Sequence, residues 1–253
     1  MRRMQRPPLP LAAQNYLDQR QQAADQQQAD GTLDIERRWA DARQTQAIAG
    51  TADSVLATLR QMAGQGARCM YCSDSRGTDI EHFRPKAAYP TQAFRWPNLL
   101  LCCSACGRLK GARFPLDPAG EPLFIDPSHD DPWAHLNFVP ETGALMPREW
   151  RDADLTLQCS EKGRWTAQIL LGDERIQDGW RRTWRHLARR VREFLALPCA
   201  AEPLLQDLQE EDTRGLLPWC FGPVGRTYSP FLELREHHPA VWQTCETRLA
   251  PAP

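Results

Sequence analysis

No stretch of this 253-residue chain approaches the roughly 20 consecutive apolar residues that a membrane-spanning helix needs. No charge of one sign dominates either. Lys and Arg number 31 against 32 Asp and Glu, for a net charge of −1. Binding to nucleic acid through bulk positive charge is thereby excluded, and any phosphate contact must come from a local basic surface. The N-terminal MRRMQRPPLPLAAQ is basic but lacks the apolar core of a secretory signal, so the expected location is cytoplasmic. There is no internal repeat and no clean linker, which predicts a single body. Disulfides are not expected, because nine cysteines is an odd number in a cytosolic-looking chain.

Hydrophobic residues make up 42% and charged residues 25%, ordinary for a soluble globular protein. Residues 1–30 combine a Pro-rich basic arm with a Gln-rich run, QRQQAADQQQADG. Prolines 7, 8 and 10 favour an extended start. The Gln/Ala run predicts an exposed helix or a mobile tail, with an arm packed along the core or a partner as the alternative. Residues 31–66 read as a helical hairpin. Ile35, Trp39, Ala42, Ala47 and Ile48 recur at near-helical spacing, and Gly50 ends the first helix. Thr51 is the expected N-cap of the second, whose stripe is Val55, Leu56, Leu59 and Met62.

Residues 67–150 hold the chemistry. Cys69/Cys72 and Cys103/Cys106 form two Cys-x-x-Cys knuckles. Four soft thiolates in two such turns suit one tetrahedral structural Zn²⁺. Cys102 stands beside Cys103, but only Cys103/Cys106 keeps the two-residue gap. The remaining cysteines, Cys102, Cys159, Cys199, Cys220 and Cys245, read as small buried apolar residues. Between the knuckles, Asp79–Phe83 is a short strand candidate that ends in Glu81-His82, Asn98–Cys102 is apolar, and the residues after Cys106 turn into a short helix. A neutral imidazole can take a proton from water, and a neighbouring carboxylate can hold Mg²⁺ or Mn²⁺ against a scissile phosphate. Arg84, Lys86, Arg108 and Lys110 are the expected phosphate contacts. Beyond them, three Asp-Pro dipeptides mark turns, and Leu123–Ile125, Leu136–Val139 and Ala144–Met146 read as short strands.

Residues 151–253 read as mainly helical. The clearest helix is 173–197, with Ile176, Trp180, Trp184, Leu187, Val191 and Phe194 on one face and many arginines elsewhere. Those arginines suit a solvated face, a nucleic-acid surface or a docking face for an acidic partner. A further short helix is expected at 202–213. Tyr228, Phe231 and Trp242 predict a tail docked onto the core, and Pro251-Ala-Pro253 a frayed end.

The run Cys-x-x-Cys, IEHFRPK, WPNLLL and Cys-x-x-Cys-x-x-x-Lys-Gly resembles an HNH endonuclease over roughly residues 67–115. That resemblance implies an α+β fold: a ββα-metal core clamped by a Cys₄ zinc site, flanked by the N-terminal hairpin and the C-terminal helical region. It further implies His82 as general base, Glu81 as ligand of a catalytic Mg²⁺ or Mn²⁺, and Asn98 as the residue that orders the loop holding the histidine. With RRMQRPPLP, FIDPSHDDPWAHLNF and REHHPAVW added, the chain resembles the HNH component of Septu-type antiphage systems, relatives of which accompany some retrons. That narrower resemblance implies a hetero-oligomer with an ABC-type ATPase that controls the nuclease, and a nucleic-acid substrate, DNA ahead of RNA. One position departs from the pattern. Gly107 stands where such proteins carry Asn or His as a metal ligand, and Asp126, His129, Asp130 and His135 are the substitutes at hand. A degenerate, non-catalytic zinc module is the competing reading, and a redox role for the knuckles is a third.

Overall fold

The structure is a computed structural model that describes residues 1–50 and 52–249. It divides into two compact units, one spanning Arg3–Asp130 and the other joining Met1–Arg2 to the chain from Asp131 on. The zinc-clamped segment, expected over 67–150 in a single body, is divided at Asp130 between the two units. Among the described residues no helix is long and apolar enough to cross a membrane.

In the first unit the Pro-rich arm is extended and tied down along the core. Met4 N–H donates to the Pro127 carbonyl at 2.7 Å. The Arg6 guanidinium lies 4.7 Å over the Trp96 ring and donates to the carbonyls of Trp96 (2.9 Å) and Leu99 (3.0 Å) and to Ser128 Oγ (2.8 Å). Trp96 Nε1 returns a bond to the Pro7 carbonyl at 3.0 Å. Of the two readings of the Gln-rich run, the helix is the one formed, with one stripe buried and not exposed throughout. It forms α1 (Leu11–Ala29), whose strong helix formers put Ala13, Leu17, Gln21 and Ala24 on one buried stripe.

The hairpin is α2 (Ile35–Arg43) and α3 (Val55–Ala63). Asp34 caps α2, its side chain accepting from Arg37 N–H at 3.0 Å. The first helix stops earlier than its apolar spacing suggests, and Gln46–Gly50 forms a single wide π turn that buries Ile48. Ser54 caps α3, accepting from Ala57 N–H at 3.2 Å; Thr51, the expected cap, lies outside the described residues. The core then follows as β1 (Asp79–His82), β2 (Leu99–Cys102) and α4 (Ser104–Lys110). The strands pair antiparallel, with Glu81 opposite Leu100 and His82 opposite Leu99. This is the expected ββα order. Leu123–Ile125 forms no strand: it is pinned between the turn at Asp117-Pro118 and the Asp126-Pro127 turn, with only an isolated Leu116–Pro122 bridge nearby.

The second unit opens with α5 (Pro132–His135) and the hairpin β3 (Leu136–Val139) and β4 (Ala144–Pro147). Gly143 closes that hairpin at φ +79°, and a Cβ there would meet the Gln177 carbonyl at 2.1 Å, so only glycine fits. A second hairpin, β5 (Glu149–Arg151) and β6 (Leu157–Cys159), was not foreseen, because neither strand buries an apolar face. Helices α6 (Glu161–Thr166), α7 (Glu174–Ala196), α8 (Ala201–Glu211), α9 (Leu217–Cys220), α10 (Phe231–His237) and α11 (Pro239–Leu249) complete it. Asp173 caps α7, and Trp180, Trp184, Leu187, Val191 and Phe194 are its buried stripe. Phe138 packs on Trp219 at 5.2 Å and Trp184 on Phe231 at 5.5 Å, and Trp242 is buried, so the tail docks into this unit's core. On the outer face of α7, Arg181 pairs with Asp178, and Arg190 with Glu193 at 3.1 Å and Glu211 at 3.4 Å. Residues 251–253 lie outside the described residues.

Candidate metal centre and active site

The two knuckles converge. The Sγ atoms of Cys69, Cys72, Cys103 and Cys106 lie within 4.8 Å of one another, and all four residues are buried. A tetrahedral Zn²⁺ with Zn–S bonds of about 2.3 Å needs sulfurs separated by about 3.8 Å, which this cluster accommodates. Backbone N–H groups already face the sulfurs, Asp74 N–H onto Cys72 Sγ and Cys106 N–H onto Cys103 Sγ, each at 3.5 Å. Cys102 is outside the set: its thiol donates to the Cys103 carbonyl at 3.2 Å. The site therefore fits zinc in geometry and donor chemistry. Of the other cysteines, Cys220 and Cys245 are buried as expected, whereas Cys159 is half-buried and Cys199 exposed.

Beside this cluster a cleft of about 510 Å³ opens over the end of β1. Trp39 of α2, Glu81 and His82 of β1, Lys86, and Gly107 and Arg108 of α4 are among its walls. His82 is almost completely buried. Its Nε2 lies 2.9 Å from the Ala93 carbonyl, which can only accept, so Nε2 carries the proton and Nδ1 keeps the lone pair. The Trp39 ring packs edge-on against the imidazole, centroids 4.4 Å apart. Burial, reinforced by the Lys86 charge, lowers the His82 pKa to about 3, so the ring is neutral near pH 7.

Glu81 is divided between two environments. Oε1 accepts from Lys110 Nζ at 2.9 Å, and the same ammonium donates to the His82 carbonyl at 2.8 Å. Oε2 faces Gly107, where an ideal Cβ would lie 3.6 Å away. Burial raises the Glu81 pKa, and Lys110 offsets part of that shift. Lys110 itself has no exposed surface. It is therefore not the phosphate contact that its sequence position suggests: the last turn of α4 points it inward, where it neutralises Glu81.

The other expected site residues are dispersed. Asn98 sits behind the strand end: Oδ1 accepts from Arg84 N–H at 2.7 Å, and Nδ2 donates to the carbonyls of Arg84 (3.1 Å) and Gln92 (2.9 Å). Arg84 stacks between Tyr89 and Phe114, at 5.4 Å and 5.3 Å, and does not line the cleft. Lys86 lines it but pairs with Glu36 at 2.9 Å, and Arg108 lines it exposed. None of the substitutes proposed for Gly107 lines the cleft. Asp126 accepts from Ser128, Asp130 accepts from Asp126 N–H at 2.9 Å, His129 is exposed beside Asp130, and His135 bonds Ser160 Oγ at 2.9 Å in the second unit. Trp39 is the residue that the sequence reading assigned to packing alone. Its place in a helical stripe carried no sign that the stripe ends on an imidazole.

Among the described residues the four cysteines are the one cluster with three or more protein metal ligands. Three carboxylates line the cleft: Glu36 and Asp79, facing Lys86 and Arg43 at 2.9 Å and 3.6 Å, and Glu81, whose Oε2 would be the donor beside His82 for a divalent ion. Mg²⁺ tolerates such a site, since it commonly keeps several waters and takes one or two carboxylates.

No family model matches the chain. It is similar to two curated proteins named Septu protein PtuB. One, from Bacillus thuringiensis, is 36% identical over 74 residues, covering 27% of this chain and 27% of the relative. The other, from Bacillus mycoides, is 32% identical over 127 residues, covering 38% of this chain and 42% of the relative. The chain thus matches less than half the length of either.

Proposed function

We propose that this chain is an HNH-type endonuclease that hydrolyses phosphodiester bonds of DNA or RNA in antiphage defence. His82 is the general base, Glu81 the protein ligand of Mg²⁺ or Mn²⁺, and a partner ATPase controls the reaction. The observation that carries this reading is the His82 imidazole, neutral, anchored through Nε2 and set beside the Glu81 carboxylate at a cleft over a ββα core. The partial similarity to two proteins named Septu protein PtuB supports the defence setting and, through it, the ATPase partner and hetero-oligomer.

His82 Nδ1 takes a proton from water as the water oxygen bonds to phosphorus, and the P–O bond to the leaving oxygen breaks. The leaving alkoxide takes its proton from solvent. A bound divalent ion would supply charge stabilisation for the phosphoryl oxygens. Asn98 holds both backbone groups of Arg84, and so the loop that follows His82. Arg108, Arg43 beside Asp79, and Lys86 once released from the exposed Glu36 are the cleft cations available for the phosphate backbone.

The test is cleavage of plasmid DNA and of RNA with Mg²⁺ or Mn²⁺, with and without the partner ATPase, comparing the native chain with His82→Ala. The substitution is expected to abolish cleavage and to leave zinc content intact. Full cleavage by His82→Ala would overturn the reading. A second reading, a zinc module that binds without turnover, is favoured by two observations: Gly107 offers no ligand, and an ammonium already neutralises Glu81. It predicts nucleic-acid binding that no divalent ion converts to cleavage.

A further inference from the structure

We propose that Gln21, in the Gln-rich helix α1, is a positioning residue for His82; the inference rests on the role of His82 given above. Gln21 is completely buried although its helix is otherwise largely polar and exposed. Its carboxamide uses both ends on one loop. Oε1 accepts from Phe94 N–H at 2.8 Å, and Nε2 donates to the Pro90 carbonyl at 3.0 Å. A third bond, Nε2 to Asp25 Oδ1 at 2.7 Å, fixes the rotamer from within α1. The two clamped backbone groups bracket Ala93, and the Ala93 carbonyl is the acceptor that holds His82 Nε2.

The loop has no strand pairing to define that carbonyl. It contains one 3₁₀ turn at Pro90–Gln92, closed by Ala93 N–H onto the Pro90 carbonyl at 3.2 Å, which fixes the Ala93 N–H side but not its carbonyl. Asn98 Nδ2 holds the Gln92 carbonyl at 2.9 Å from the other side. Gln21 supplies the acceptor for Phe94 N–H, which shares its peptide plane with the Ala93 carbonyl. An apolar side chain of the same length would fill the space and leave the buried Phe94 N–H unpaired, while the Pro90 carbonyl keeps its bond from Ala93 N–H at 3.2 Å, so the Ala93–Phe94 peptide that carries the Ala93 carbonyl is freed to turn. The imidazole would then lose the acceptor that selects the Nε2–H tautomer, and with it the lone pair at Nδ1. Geometric errors of about 1 Å at a catalytic group cost on the order of 100-fold in rate.

The test is made on the full-length, zinc-loaded chain labelled with ¹⁵N-histidine. The His82 ring signals are identified by their absence in His82→Ala. The native protein is expected to show His82 as the Nε2–H tautomer, with slow exchange of that proton. Gln21→Met is expected to give mixed tautomers and faster exchange, and a fall in kcat on the order of 100-fold at unchanged KM. Gln22→Met, at the exposed neighbour, should match the native protein. If Gln21→Met fails to fold, Gln21→Asn, one methylene too short to reach Phe94 N–H, should show the same loss of tautomer purity. A Gln21 variant that is less stable but keeps a pure Nε2–H tautomer and native kcat overturns the inference, because that is what packing alone would produce. Native cleavage by His82→Ala instead defeats the nuclease reading, and the tautomer measurement still reports on the link from Gln21 to His82.

Discussion

Replacing Lys110 with methionine removes a cation with no exposed surface from between Glu81 Oε1, at 2.9 Å, and the His82 carbonyl, at 2.8 Å. The Glu81 side chain retains 20% exposure, so its carboxylate is left largely buried and unpaired. Breaking a buried pair by deleting one partner costs about 3–5 kcal/mol, and the orphaned carbonyl adds about 1 kcal/mol. Partial solvent access to Glu81 puts the expected loss near the lower end, about 3 kcal/mol at pH 7.5 without added Mg²⁺ or Mn²⁺. The loss has a pH signature. Burial already raises the folded Glu81 pKa, and removal of Lys110 raises it further. The folded state then binds a proton that the unfolded state has released, so stability falls as pH rises above the ordinary carboxylate range. The variant should be closer to native at pH 5 than at pH 7.5. Denaturant titrations of the full chain, followed through zinc release to a colorimetric chelator, report on the unit that holds the cysteines. Adding Glu81→Gln to Lys110→Met should recover much of the pH 7.5 loss. A loss under about 1 kcal/mol, or an equal loss at both pH values, would refute the account of Lys110 as the neutralising partner of Glu81.

Gly107→Asn is expected to tighten Mn²⁺ binding, because its Cβ has room 3.6 Å from Glu81 Oε2 and its carboxamide adds a second protein donor. Loss of the free-Mn²⁺ electron spin resonance signal on titration measures it, and unchanged affinity would show that position 107 does not face the ion. Asn98→Ala removes three hydrogen bonds to Arg84 and Gln92 and should cost about 2–4 kcal/mol in the same denaturant assay, with cleavage lost in parallel. Native activity in that variant would separate the loop from the chemistry. Elemental analysis should find about one zinc per chain, and its removal by a chelator should expose four reactive thiols and unwind the β1–β2 hairpin. Full far-ultraviolet circular dichroism after chelation would count against a structural metal.

Local pattern alone determined a good part of this protein. The two-residue gaps in Cys69/Cys72 and Cys103/Cys106 are set by how far a turn can reach around one metal, so the cluster was readable before any fold. The strand ending in Glu81-His82, the apolar β2, the short α4 and the long α7 were legible for the same reason: each is a short-range regularity of spacing, cap or stripe. What only the tertiary structure decided depends on contacts far apart in sequence. Lys110 reads as one more surface cation until α4 turns it inward onto Glu81. The Gln-rich run reads as low complexity until Gln21 is found against Pro90 and Phe94. Trp39 reads as hairpin packing until its ring meets His82. Composition and periodicity describe a residue's own helix or strand. They cannot say which buried donor meets which distant acceptor, and in this unit those long-range pairings define the environment of the histidine.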